Sequence, residues 1–239
     1  MEPFAGSACL FFALRPESAL LSDFNSELVA TYRVLRDHPR LVHRKAAAWP
    51  TDAASYYRVR ELEVAELAPV SRAARFIYLN RYCFNGVYRT NRTNRFNVPF
   101  GNGGGQLPSE REFYRASVAL RTAALTDHDF AESLDHVRAG DLVYLDPPYS
   151  RSVSDGYGVY GYGSFTSADL ERILDGLELV ERRGARFMLS YTPTPQVLEA
   201  TARWHQATMS VRAQVGGSSA SRSVRNELLV SNYAWGGVA

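Results

Sequence analysis

Asp146-Pro147-Pro148-Tyr149, entered from the apolar run Leu142-Val143-Tyr144-Leu145, sets a carboxylate, two prolines and an aromatic ring at the end of a short buried strand. Proline donates no N–H to a ladder, so strand pairing stops there and carbonyl oxygens are left without strand partners. A carboxylate and a proline carbonyl can both accept from an exocyclic amine, and a tyrosine can stack on the flat ring that carries it. The same four residues also serve as an ordinary strand-ending turn. Alone they do not separate the two readings.

A second group sits at the N-terminus. Glu2-Pro3-Phe4-Ala5-Gly6-Ser7-Ala8 leads into Leu10-Phe11-Phe12. A glycine in a strand-to-helix turn lets backbone approach a ligand closely, and the helix that follows offers unpaired N–H groups. Asp23-Phe24 follows some twenty residues on, where an acidic side chain can accept both hydroxyls of a ribose and its neighbour can pack on a purine. Dinucleotide-binding enzymes share that spacing, but the further glycines of their fingerprint are absent. Asp129-Phe130 could hold an adenine at another strand end, by accepting from its amine and stacking on its ring. Each of these features, taken singly, is as compatible with plain structure.

The elements that must position them read as α/β. Ala19–Ser22 is a short strand ending at Asp23, and Ser26 opens a helical pattern with Leu28, Tyr32 and Leu35 on one face. Leu142–Leu145 is a buried strand. Leu170, Ile173, Leu174, Leu177 and Val180 repeat at helical spacing up to Gly184, a helix stop. Arg186–Ser190 and Leu228–Val230 are further strands. Strands alternating with helices predict a sheet covered on both faces, with ligands at the carboxyl ends of its strands. The middle differs: helices run through Tyr56, Val59 and Leu62 and from Ser71 to Phe84, then a polar, basic stretch from Val87 to Phe100 reads as a hairpin. Gly101-Asn102-Gly103-Gly104-Gly105 reads as a flexible connector. The predicted organisation is a catalytic domain of residues 1–45 and 117–239, carrying an inserted module at 46–116.

Composition narrows the classes. The 239 residues, 46% hydrophobic and 22% charged, suit one globular domain with an insertion. No apolar run reaches membrane-spanning length and the N-terminus lacks a signal pattern, which predicts a cytoplasmic protein. Two cysteines, Cys9 and Cys83, make neither a disulfide framework nor a zinc site. Between Glu66 and Glu110 there is no acidic residue, yet Arg72, Arg75, Arg81, Arg89, Arg92 and Arg95 fall there. This reads as a phosphate-binding footprint or a solvated basic face. The single lysine, Lys45, carries little weight.

Phe4-x-Gly6, Asp23, Asp129-Phe130 and Asp146-Pro147-Pro148-Tyr149 come in the order used by S-adenosylmethionine-dependent amino methyltransferases. With Tyr78-Leu79-Asn80-Arg81-Tyr82-Cys83-Phe84-Asn85-Gly86-Val87-Tyr88-Arg89 and Phe96-Asn97-Val98-Pro99-Phe100-Gly101, the chain resembles a Dam-type DNA adenine-N6 methyltransferase from Glu2 to Tyr233. The resemblance implies a Rossmann-like sheet with helices on both faces and an inserted helical and hairpin target-recognition module. It implies S-adenosylmethionine as methyl donor, no metal, and double-stranded DNA as substrate, bound by a monomer. Phe4, Ala5, Gly6, Ser7, Asp23, Phe24, Asp129 and Phe130 would hold the cofactor. Asp146 and the carbonyl of Pro147, with Pro148, would receive the amine of a flipped adenine, and Tyr149 would stack on its ring. Arg81, Tyr82, Phe84, Asn85, Val87, Arg89, Arg92, Arg95 and Pro99 would meet the DNA, in a site that is commonly GATC. Arg89 leads for base reading, although a phosphate contact serves it as well. Phe84 stands where tyrosine is usual, which weakens the carry-over of GATC. The tyrosine- and glycine-rich stretch from Tyr144 to Tyr162 reads as a loop over the base or a plain loop, and Arg212–Arg222 resembles a basic hairpin near DNA.

The pattern breaks at the start. Relatives of this type carry some thirty or more residues before Phe-x-Gly, including a Gly-Gly-Lys segment for the cofactor's methionine part and most of the first strand. Here that strand is expected to be incomplete, exposing the edges of its neighbours. A misassigned start, a truncated remnant or a partner chain that supplies the piece would each account for it; the first is favoured, because the rest is intact and a central gap is costly. An upstream-extended form is then expected to bind cofactor more tightly. Two other functions are kept: an inactive DNA-binding remnant or subunit, and a cytosine-N4 methyltransferase, which usually has serine at the position of Asp146. Cytosine-C5 chemistry is excluded, since neither cysteine follows a proline.

Overall fold

The computed structural model describes residues 1–91, 93, 95–101, 105–148, 167–212 and 224–235. Met1 and Glu2 lie within the sheet structure. The Glu2 N–H donates to the Leu20 carbonyl and the Glu2 carbonyl accepts from the Ser22 N–H, each at 2.9 Å, on strand β1 (Ala19–Ser22). Beside β1 lies parallel β2 (Ala123–Thr126), with Leu21 opposite Leu125. On the other side, the Met1 carbonyl accepts from Tyr144 at 2.9 Å and the Met1 amino group donates to Leu142 at 2.7 Å. Both bonds fall on β3 (Leu142–Leu145). Two residues thus join two sheets among the described residues: β1-β2, and a four-stranded sheet in the order β3-β4-β6-β5. In the second, β4 (Arg186–Tyr191) is parallel to β3, while β6 (Val224–Ser231) is antiparallel to β4 and to β5 (His205–Arg212).

Helices follow the strands for readable reasons. After the short α1 (Cys9–Leu14), α2 (Ser26–Asp37) opens at Asn25, whose side chain accepts from the N–H groups of Glu27 and Leu28. A proline at the first turn starts both α3 (Pro39–Ala47) and α5 (Pro69–Tyr82), on either side of α4 (Ala53–Arg60). A capping box between Ser109 and Glu112 starts α6 (Glu110–Leu120). Asp129 caps α7 (Phe130–Leu134); α8 (Ser167–Arg182) and α9 (Pro195–Ala200) complete the set.

Three apolar clusters result. Val143, Leu145, Phe187, Leu189, Leu228 and Val230 pack one face of the larger sheet against Ile173, Leu177 and Val180 of α8. Each fully buried side chain of this kind contributes roughly 1.5–3 kcal/mol. Leu21 and Leu125 pack with α1, α2, α3, α5 and α6. The third cluster, Tyr56, Val59, Tyr78, Leu79, Tyr82, Phe96 and Val98, supports the hairpin. The expected module boundary at residue 116 falls inside α6, whose Phe113 and Leu120 share the second cluster with β1 and β2.

The hairpin is short and held by side chains. Thr90 and Phe96 form an antiparallel bridge, and the Asn91 side chain accepts from the backbone N–H groups of Thr93 at 3.0 Å and Arg95 at 2.9 Å. The stretch expected as a flexible connector has tight ends. Gly101 donates to the Tyr82 carbonyl at 2.8 Å, and a Cβ there would lie 2.8 Å from the Cys83 oxygen. A Cβ on Gly105 would run into the Arg81 carbonyl oxygen. These glycines serve close backbone approach; residues 102–104 lie outside the described set. Gly105→Ala is therefore expected to cost about 1–3 kcal/mol, read as a lower urea midpoint with an unchanged slope.

Candidate active site

The loop from Pro3 to Ala8 runs from the Glu2 bridge to α1, and its backbone is held at several points. Ala5 N–H donates to the Ser22 carbonyl at 2.8 Å. Gly6 N–H donates to Asp23 Oδ2 at 2.9 Å, and the Gly6 carbonyl accepts from the Tyr32 hydroxyl at 2.6 Å. Glu2 Oε1 accepts from the Phe11 N–H at 2.6 Å, capping the first turn of α1 where Ala8 has no capping side chain. Gly6 has φ +47°, and nothing lies within 4 Å of where its Cβ would be. A side chain would be strained there and would fill open space beside the loop.

Asp23 leaves the end of β1 with its second oxygen accepting from Asn25 N–H at 2.9 Å. Burial raises its carboxyl above the ordinary 3.8, against the pull of these N–H bonds. Phe24 beside it is 58% exposed, a large apolar ring presented to solvent. Burial likewise raises Glu2, and the nearby charge of Asp146 adds to the shift. Strand β1, residues 1–2 and β3 run parallel, so Asp23 and Asp146 emerge at the same edge. Asp146 is exposed, Pro147 buried and Pro148 half-buried; Tyr149 lies outside the described residues.

Phe4 and Phe130, distant in sequence, stack with ring centroids 5.0 Å apart. Phe130 is buried, and the Arg172 guanidinium lies 4.6 Å from its ring centre. Arg172 also pairs with Asp129, whose Oδ1 accepts from Ala131 N–H at 2.9 Å as the cap of α7. The pair expected to hold an adenine thus also serves the fold. Both are taken up by Phe4, Arg172 and the helix start, because a buried ring and a capping carboxylate are stabilised by such contacts.

The recognition residues divide. Tyr82 is 9% exposed and its hydroxyl accepts from Leu107 N–H at 3.2 Å, which makes it a packing residue rather than a surface one. Phe84 packs against the third cluster, and Val87 is half-buried. Asn85, in the left-handed region at φ 58°, and Pro99 are exposed. Arg89 Nε donates to Asn97 Oδ1 at 2.9 Å, Arg95 to Glu63 at 2.7 Å, and Arg81 to the Gln106 carbonyl. Arg72 pairs with Glu27, and buried Arg75 donates to the Val59 and Arg60 carbonyls. Five of the six arginines of the acid-free stretch thus make internal contacts, which sequence spacing does not reveal. Arg92 lies outside the described residues, as do residues 149–166, which hold most of the tyrosine- and glycine-rich stretch, and most of Arg212–Arg222. Tyr32 and Arg172 touch the site without having been singled out for it; only Tyr32, on the packed face of α2, had a sequence signal.

A family model described as D12 class N6 adenine-specific DNA methyltransferase matches residues 1–215. The chain belongs to this family. It is 31% identical over 242 residues to the type II methyltransferase M1.LlaDCHI of Lactococcus lactis subsp. cremoris, covering 97% of this chain and 85% of that one. The DNA adenine methylase of Escherichia coli (strain K12) is 31% identical over 237 residues, 96% and 84% of the two chains. The type II methyltransferase M.MjaIII of Methanocaldococcus jannaschii is 30% identical over 208 residues, 80% and 72%. Family membership makes the chain an adenine-specific DNA methyltransferase, and methyltransferases of this family in general take their methyl group from S-adenosylmethionine. Among the described residues no helix is long and apolar enough to cross a membrane.

The raised Asp23 carboxyl has a stability consequence. The folded chain holds this proton more tightly than the unfolded one, so its contribution is fully present below 3.8 and lost as pH rises through the folded value. Relative to Asp23→Asn, the wild type is expected to gain thermal stability between neutral pH and about pH 4. Parallel melting curves across that range would contradict the assignment.

Proposed function

We propose that the chain transfers a methyl group from S-adenosylmethionine to the N6 amino group of an adenine flipped out of duplex DNA. One observation carries the reading. Asp23 and Asp146 leave parallel strands at a single edge, with the Pro3–Ala8 loop beside Asp23.

The residues present fit the cofactor. Gly6 leaves open space, Asp23 keeps lone pairs for ribose hydroxyls beyond its two N–H bonds, and exposed Phe24 can cover a purine. Phe4 and Phe130 would form an apolar floor. Asp129 would meet an adenine amine through Oδ2, since Ala131 N–H and Arg172 both hold Oδ1. Bound S-adenosylmethionine supplies an electrophilic methyl group on a positively charged sulfur.

On the acceptor side, Asp146 and the Pro147 carbonyl would accept the two N6 protons and turn the nitrogen lone pair toward the methyl carbon. Tyr149 and Pro148 would bound the flipped ring. The Asp146 carboxylate would face the positive charge that N6 gains when it takes the methyl group from sulfur. One amine proton then leaves to solvent. Positioning supplies most of the rate, and unstacking the base costs a few kcal/mol.

Target reading falls to the hairpin and its approach: Asn85, Val87, Arg89, Arg92, Arg95 and Pro99, with Arg81 and Phe84 at its base, in a site of GATC type. Arg89 donates to Asn97 through Nε, and its terminal nitrogens are the ones that would reach a base edge.

Two outcomes test the proposal. Asp146→Ala should lower methyl transfer to unmethylated duplex roughly a thousandfold while duplex binding by fluorescence anisotropy is retained. Full activity in that variant, or label found on cytosine, would sink the reading. Arg89→Ala should reduce discrimination between cognate and single-mismatch sites by about 1–3 kcal/mol, measured as the ratio of kcat/KM values. An equal loss on every sequence would reassign Arg89 to phosphate contact.

A further inference from the structure

The Gly6–Ser7 peptide is governed by a side chain from another element. Tyr32 lies on the buried face of α2, 9% exposed, with its ring edge-on to Phe12 at 6.4 Å. Its hydroxyl donates to the Gly6 carbonyl at 2.6 Å, while the preceding peptide is held by Gly6 N–H on Asp23 Oδ2 at 2.9 Å. Carbonyl and N–H of one trans peptide point in opposite directions. With the Gly6 carbonyl turned to Tyr32, the Ser7 N–H points away from α2. Ser7 itself is exposed, and Gly6 at φ +47° has no heavy atom within 4 Å of a would-be Cβ.

We propose that Tyr32 is a positioning residue for the cofactor: by holding the Gly6 carbonyl it fixes the peptide so that the Ser7 N–H faces an acceptor atom of the bound ligand. The inference rests on the reading that this loop and Asp23 hold S-adenosylmethionine. A glycine peptide lacking this bond has the freedom to rotate. The carbonyl could then turn outward and set an acceptor where a donor is needed. Burial pushes the phenol above its ordinary range, so the group remains a donor throughout neutral pH. Tyr32 touches no reacting atom; it acts through Gly6.

The test compares Tyr32→Phe, which keeps the ring and its packing, with Asp23→Ala and wild type. Calorimetric binding of S-adenosylmethionine and of S-adenosylhomocysteine is measured without DNA, alongside steady-state kinetics and thermal melts. Tyr32→Phe should weaken both ligands roughly fivefold to tenfold, the worth of one net hydrogen bond. The cofactor KM should rise by more than kcat falls, with the KM for DNA unmoved. Wild-type affinity in Tyr32→Phe, while Asp23→Ala binds weakly, overturns the role of Tyr32 alone. Wild-type affinity in both variants overturns the underlying cofactor reading. A loss spread evenly over cofactor KM, DNA KM and melting temperature would mark Tyr32 as a packing residue and nothing more.

Discussion

The geometry of the site depends on the backbone pairing of Met1 and Glu2 between β1 and β3. Four hydrogen bonds, two to each strand, connect sheets that are otherwise separate among the described residues. They set the spacing between the end of β1, where Asp23 leaves, and the end of β3, where Asp146 leaves. A slip of one residue in this pairing would turn Glu2 to the opposite face, and the carboxylate that caps α1 would be lost with it. Burying that carboxylate is unfavourable and pushes its protonation up. The Phe11 N–H offsets part of the cost and ties the loop after Glu2 to the helix that follows.

Much of this was legible in the residues. The strand at 142–145 is a run of apolar residues closed by prolines, and such a run has few other ways to fold. The helix through Leu170, Ile173, Leu177 and Val180 spells its buried stripe. The polar, basic stretch from Val87 to Phe100 reads as the hairpin whose Thr90 and Phe96 are bridged. Other elements left fainter traces. Strand β5, His205-Gln206-Ala207-Thr208-Met209-Ser210-Val211-Arg212, sits at the edge of its sheet with Met209 half exposed, so no alternation builds up. Helix α3 buries only Val42 and Ala46. The start of α6 could have been found from Ser109-Glu110-Arg111-Glu112, whose spacing is that of a capping box.

Within the site, residue types were easier to read than their partners. Asp23, Phe24 and Asp146 lie where strand-end chemistry puts them. The occupancy of Asp129 and Phe130 by Arg172 could not be anticipated, since Arg172 arrives from a helix 43 positions away. The same blindness applies to Tyr82. A tyrosine in a motif that faces a ligand and a tyrosine that fills a core have one letter in common, and only packing separates them. Long-range pairing is what sequence periodicity cannot encode, and it decides which polar groups remain available.

The arginines between Glu66 and Glu110 show this most plainly, and their arrangement bears on the response to salt. Arg72 and Arg95 are matched by carboxylates from outside the interval, and Arg75 is buried against carbonyls. On the proposed function, Arg72 and Arg95 add little to counter-ion release on duplex, while Arg81 and Arg89, bonded to neutral oxygens, keep their full charge for phosphates. Added salt would then weaken duplex binding through the second pair and leave the first as internal ties of the module.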